Sequence, residues 1–64
     1  MNNIRKNRET KGYTQERLAE ELSVDRSSVA KWESGEAIPR PKTLLKLSEI
    51  FGCTVDELIK KEDT

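Results

Sequence analysis

A run of hydrogen-bonding side chains occupies one side of the helix predicted over residues 26–34. With Val29 and Trp32 turned inward at i,i+3, four polar residues remain on or near the outer side. They can donate hydrogen bonds, from two cations and two hydroxyl groups, to acceptors on a partner. The plainer alternative is that such exposed side chains only solvate the helix. The four residues are Arg26, Ser27, Ser28 and Lys31.

Five short helices are predicted to position this run. No segment shows the alternation of Val, Ile and Thr that is typical of a strand. Thr14 and Asp25 can cap the second and third helices, and Thr54 with Glu57 forms a capping box for the fifth. We expect helices from after Asn3 to near Lys11, over 15–22, over 26–34, from Pro41 to Gly52, and from the capping box onward.

Apolar residues at helical spacing predict a shared core, so the fold class is compact all-α. Ile4 and Arg8 share one face of the first helix. The inward positions expected are Leu18, Ala19 and Leu22 in the second helix and Val29 and Trp32 in the third. The apolar residues of the last two helices are Leu44, Leu45, Leu47, Ile50 and Phe51, and then Val55, Leu58 and Ile59.

Composition limits the class of protein. A chain of 64 residues makes one domain, and its only cysteine, Cys53, cannot form an internal disulfide. Without histidine no metal cluster of ordinary spacing is possible, and without a Gly-rich phosphate loop we expect no cofactor and no enzyme activity. The polar start MNNIRKNRET and the lack of a long apolar run predict a cytoplasmic protein with no membrane segment.

The charge is balanced overall but unevenly distributed. Twelve basic and twelve acidic residues give a net charge of zero, which counts against a generic polyanion binder. Residues 1–32 carry seven basic and five acidic side chains, a net of +2. Residues 33–64 carry five and seven, a net of −2. A mildly basic first half thus precedes a mildly acidic second half, and such surface charge more often serves only solvation.

Residues 14–35, TQERLAEELSVDRSSVAKWESG, resemble the helix-turn-helix of the Cro/C1 repressor family, also called the XRE family. Small Ala19 lies where two helices cross closely, and the flanks GYTQ, WESG…IP and TLLKLSEIFGCTVDELI agree over roughly residues 4–60. The resemblance implies a five-helix, lambda-repressor-like DNA-binding domain over 1–64 with its motif at 15–34. The apolar pattern that carries it is Leu18, Leu22, Val24, Val29 and Trp32.

The turn of the motif departs from the family pattern. The family commonly has Gly in this turn, whereas this chain has Ser23. A left-handed conformation at Ser23 costs about 1 kcal/mol relative to Gly. Alternatively, the turn relaxes and avoids that conformation.

In proteins of this fold the second helix of the motif lies in the major groove of DNA. The resemblance therefore implies that Arg26, Ser27, Ser28 and Lys31 contact bases, although Ser28 can instead bind a phosphate or its own backbone. Gln15 is expected to touch a phosphate and brace the recognition helix. Further phosphate contacts are expected from Thr14, which is primarily a cap, and from Arg40 and Lys42 near the start of the fourth helix.

The resemblance also implies a partly buried ion pair between Arg8 and Glu33. The expected function is that of a sequence-specific regulator of transcription, most plainly a repressor, which binds a palindromic operator as a homodimer. Phe51, Cys53, Val55 and Ile59 are candidate dimer residues, with core packing as the stronger alternative for Val55 and Phe51. The alternative function is a protein-interaction module, such as an antitoxin or an accessory subunit that binds a partner protein.

Overall fold

The computed structural model describes residues 3–59, and within that range all regular structure is helical. The prediction of five helices is confirmed, with bounds that agree to within one or two residues. None of the helices within residues 3–59 has the length and hydrophobicity that a membrane-spanning segment needs. The helices are α1 (Ile4–Thr10), α2 (Gln15–Leu22), α3 (Arg26–Ser34), α4 (Pro41–Phe51) and α5 (Val55–Ile59).

Every helix contributes one fully buried aliphatic side chain to a single core. Each of these side chains has a relative exposure of 0%. Full burial of one such side chain stabilises a fold by about 1.5–3 kcal/mol. Because α5 has only five residues, it depends on this core and cannot be stable alone. The five are Ile4, Leu18, Val29, Leu47 and Leu58, in the order of the helices.

Two large apolar side chains of α4 and α5 are exposed. Leu45 is 58% exposed and Ile59 is 46% exposed, so neither belongs to the buried core. Successive residues of an α-helix are about 100° apart, and the inward face of α4 is already filled by Leu44 and Leu47. Leu45 therefore points away from that face, among the exposed residues of α4.

The capping predictions hold for two of three helices. The Thr14 hydroxyl accepts a hydrogen bond from the Arg17 N–H at 3.0 Å. Reciprocal bonds of 2.9 and 3.1 Å between Thr54 and Glu57 confirm the capping box.

Asp25 occupies the N-cap position of α3, but its carboxylate makes no capping bond, so that prediction was wrong. A capping carboxylate would accept a hydrogen bond from the Ser28 N–H. That N–H donates instead to the main-chain carbonyl of Asp25 at 3.0 Å. The first turn of α3 is thus closed by the backbone alone. The Asp25 side chain remains exposed beside it.

The turn between α2 and α3 takes the left-handed conformation. Ser23 has φ 57° and ψ 44°, and it is the one non-glycine residue with positive φ among residues 3–59. The Val24 N–H bonds to the Ala19 carbonyl at 3.0 Å and the Ser23 N–H to the Glu20 carbonyl at 3.2 Å, which is the Schellman pattern. This turn sets the direction in which α3 leaves α2.

Replacing Ser23 with Gly should stabilise the protein by about 0.5–1 kcal/mol, because glycine adopts this conformation without the Cβ penalty. Urea denaturation followed by circular dichroism measures the change. Ser48→Gly is the matched control, since Ser48 lies inside the right-handed α4, where glycine should lower stability. A loss of stability in Ser23→Gly as large as the loss in the control would contradict the strain argument.

Candidate nucleic-acid interface

The outer side of α3 is polar and accessible. Arg26, Ser27 and Lys31 are exposed and Ser28 is half-buried, whereas Val29 on the opposite side is fully buried. Arg26 and Lys31 take part in no salt bridge with another residue of the described range. The structure therefore leaves Arg26, Ser27 and Lys31 accessible to a partner and Ser28 partly so.

A buried ion pair ties the far end of this helix to α1. The Arg8 Nε donates to Glu33 Oε2 at 2.6 Å and Nη2 donates to Oε1 at 3.3 Å. Each residue is only 9% exposed, and Arg8 Nη1 also donates to the Tyr13 carbonyl at 2.8 Å. This two-bond geometry matches the planar guanidinium to the carboxylate. It brings together α1, the corner before α2 and the last turn of α3.

The pair changes the acidity of the guanidinium. The hydrogen bond and the negative charge of Glu33 raise the pKa of Arg8, and burial opposes them only in part. Arg8 therefore stays charged at any pH at which the protein is studied. The positive charge inside the domain is permanent, so its carboxylate partner is needed throughout.

Gln15 joins this pair from the first residue of α2. Its Nε2 donates to Glu33 Oε1 at 3.0 Å, so that one carboxylate oxygen accepts from both Arg8 and Gln15. Thr14, directly before it, is exposed and uses its hydroxyl oxygen in the cap. The family resemblance implied that Gln15 braces α3, but not that Glu33 would be the point of attachment. Side chains 18 positions apart carry no local signal of such a bond.

Two further cations lie where α4 begins. Arg40 is the N-cap residue and Lys42 follows Pro41, and both are exposed. The first turn of α4 has no acidic side chain to balance the positive end of the helix dipole. An anion near this turn would therefore be favoured by both side chains and by the helix itself.

Cys53 is half-buried, and its surroundings disfavour the thiolate form. Burial and, to a smaller degree, the charge of Glu57 raise the pKa of its thiol. A thiol that stays protonated is a poor nucleophile.

Among residues 3–59 no group of three or more Cys, Asp or Glu side chains is placed to hold a metal ion.

Comparison with known proteins agrees with this architecture. The sequence model of helix-turn-helix domains matches residues 4–58, which is most of the chain. The chain belongs to the Cro/C1-type helix-turn-helix family. The match runs from the first residue of α1 to the penultimate residue of α5.

Curated relatives of this Cro/C1-type domain include three regulators. It is 45% identical to the HTH-type transcriptional activator BcrR of Enterococcus faecalis, over 83% of this chain and 26% of BcrR. It is 46% identical to YonR, a prophage-derived HTH-type transcriptional regulator of Bacillus subtilis, over 89% of this chain and 53% of YonR. It is 36% identical to the phage transcriptional repressor RstR of Vibrio cholerae, over 70% of this chain and 40% of RstR. The chain thus spans about a quarter to a half of these relatives.

The buried pair should dominate the electrostatic contribution to stability. Arg8→Met is expected to lower the free energy of unfolding by about 3 kcal/mol, because it leaves the Glu33 carboxylate buried without its cation. Thermal and urea unfolding measure the loss. Arg5→Met is the matched control, since it breaks an exposed i,i+4 pair with Glu9, and should cost at most about 0.5 kcal/mol. Equal losses of unfolding free energy in the two variants would contradict a dominant role for the buried pair.

Proposed function

We propose that this protein is a sequence-specific double-stranded DNA-binding regulator of transcription that reads the major groove with α3. The observation that carries the proposal is the accessible polar face of that helix in a Cro/C1-type domain. An α-helix fits the major groove, where each base pair presents a distinct set of donors and acceptors. Arg26 and Lys31 are suited to guanine O6 and N7, while Ser27 can serve several bases. Such a protein would act in the cytoplasm.

Ser28 has a more limited role in this proposal. It is half-buried, and its N–H is already used in the first turn of α3. Because Ser28 lies in the first turn of α3, its hydroxyl group could contact either a base edge at that end of the helix or a backbone phosphate. We therefore expect Ser28 to adjust binding and Arg26 to dominate recognition.

Phosphate contacts would fix the orientation of α3 in the groove. Gln15 has a second hydrogen on Nε2, and the Thr14 hydroxyl can still donate while its oxygen accepts from Arg17. On the other side of the motif, Arg40 and Lys42 provide charge at the start of α4. The two helix N-termini of α2 and α4 add favourable dipoles. Together these groups can bind the DNA backbone without contributing to base choice.

A dimer is the expected binding form, because one short helix reads only a few base pairs. Two recognition helices about 34 Å apart would match the two halves of a palindromic operator. Among the candidate dimer residues, Phe51 is 5% exposed and belongs to the core. Ile59 is the most accessible, and Val55 lies one turn before it and is half-buried. We place the dimer contact on this side of α5.

Repression is the mode of regulation that the proposal favours. A small domain that occupies an operator excludes other proteins from the same groove without any further activity. The relative RstR is described as a repressor, whereas the relative BcrR is described as an activator and is about four times longer than the matched segment. A reporter gene placed behind the selected operator distinguishes the two, since repression lowers its expression and activation raises it.

Selection of bound duplexes from a random pool tests sequence reading, and the wild type should enrich a two-fold symmetric motif. Arg26→Ala should lose preference at one base position in each half-site, at a cost of about 1–3 kcal/mol, because one set of groove donors is removed. Arg17→Ala is the control, since Arg17 is an exposed arginine of α2 that pairs with Glu21. An unchanged motif in Arg26→Ala would remove Arg26 from the recognition set, and failure to enrich any motif would overturn the proposed function.

Lys42→Ala should weaken binding to all duplexes alike and reduce the slope of log affinity against log salt by about 0.9, which is the effect of one lost phosphate contact. Titration of the selected operator and of an unrelated duplex at several salt concentrations measures both quantities. Lys46→Ala is the matched control in the same helix, because Lys46 lies one turn further from its N-terminus. A salt slope unaltered by Lys42→Ala would show that Lys42 does not contact a phosphate.

A further inference from the structure

The Glu33 carboxylate lies at the junction of three helices and has two kinds of partner. The Arg8 guanidinium neutralises it, and the Gln15 amide contributes one further hydrogen bond at 3.0 Å. Arg8 alone would be sufficient for charge balance. The bond to Gln15 is therefore additional to the ion pair, and it connects the end of α3 to the first residue of α2.

This bond determines whether Nε2 or Oε1 of the Gln15 amide faces Glu33. A glutamine side chain has a donor end and an acceptor end of nearly the same shape. A carboxylate paired with arginine only accepts hydrogen bonds, so Nε2 must face Glu33, and the reverse orientation would bring two oxygens within about the same distance. The orientation of the amide is thus set by the charge of its neighbour.

The fixed orientation leaves a defined donor at the surface. Gln15 is half-buried, and its Nε2 donates no second hydrogen bond to any residue from 3 to 59. A DNA phosphate accepts hydrogen bonds and cannot donate them, so the amide is useful to it only through Nε2. The negative charge of Glu33 would repel a phosphate, but the bidentate Arg8 cancels it at 2.6 Å.

We propose that Glu33 is a positioning residue for phosphate binding: by holding Nε2 of Gln15, it presents the second N–H of that amide to a backbone phosphate. The inference rests on the proposed function. Because Glu33 lies in the last turn of α3, the phosphate donor on α2 is held in a constant position relative to the base-reading face. Recognition of bases and anchoring on the backbone are thereby joined through one carboxylate.

A double-mutant cycle on the wild-type operator separates this role from a purely structural one. The variants are Glu33→Gln, Gln15→Met, which keeps the side-chain length without a donor, and the double variant. Each is assayed at a temperature where circular dichroism shows it fully folded. Duplexes carrying a single neutral methylphosphonate, moved along the site, identify the phosphate that Gln15 contacts. Glu36→Gln is the matched control, since it removes one exposed negative charge close to the same end of α3.

Glu33→Gln should weaken operator binding about threefold to tenfold, the effect of one misplaced hydrogen bond, whereas Glu36→Gln should leave affinity unchanged or increase it. In the Gln15→Met background, Glu33→Gln should cause no further loss. One methylphosphonate should weaken binding by wild type but not by Gln15→Met, with an intermediate effect for Glu33→Gln. If Glu33→Gln does not fold, Glu33→Asp replaces it, because it keeps the charge beside Arg8 and withdraws the carboxylate from Gln15.

Additive losses in the cycle, or a methylphosphonate profile that Glu33→Gln leaves unaltered, would overturn the positioning role while leaving the DNA-binding function intact. Absence of sequence-specific duplex binding by the wild type would overturn the proposed function itself and this inference with it. The two failures are therefore distinguishable from the wild-type measurement alone.

Discussion

The buried ion pair between Arg8 and Glu33 is the interaction on which the arrangement of the first three helices depends. A guanidinium that stays charged and is 9% exposed needs a carboxylate partner, since an unpaired buried charge is strongly destabilising. The pair can form only when the last turn of α3 lies against α1. The pair therefore restricts the direction of α3, because its hydrogen bonds require this placement. That restriction matters more than any net gain in free energy.

The apolar core supplies the free energy that the ion pair does not. A domain of 64 residues buries only about 60% of the surface of its unfolded chain, so every helix has to contribute. The five fully buried side chains, one from each helix, satisfy that requirement and leave α3 free to be polar on its other side. Because every helix has to contribute to the core, α3 buries Val29 and Trp32 on one side and exposes donors such as Arg26 on the other.

The proposed DNA-binding surface follows from these two constraints. Core packing fixes how closely α3 lies against the other helices, and the left-handed turn at Ser23 fixes its angle to α2. The ion pair fixes the position of its C-terminal end. Functional side chains on a rigid helix are placed more accurately than side chains on a loop. A domain of this size can therefore hold several donors in a constant arrangement.

Helical periodicity and capping are local, so the five helices, most of their caps and the inward positions of α2 and α3 could be predicted from the sequence. Fold class and family followed from the same pattern, and the roles of the α3 side chains on DNA remain predictions. Three outcomes depend on tertiary packing: Leu45 and Ile59 are exposed, the Asp25 carboxylate makes no cap, and Gln15 donates to Glu33. Those outcomes depend on which face a neighbouring helix has already filled and on atoms distant in sequence, and local spacing carries no information about either.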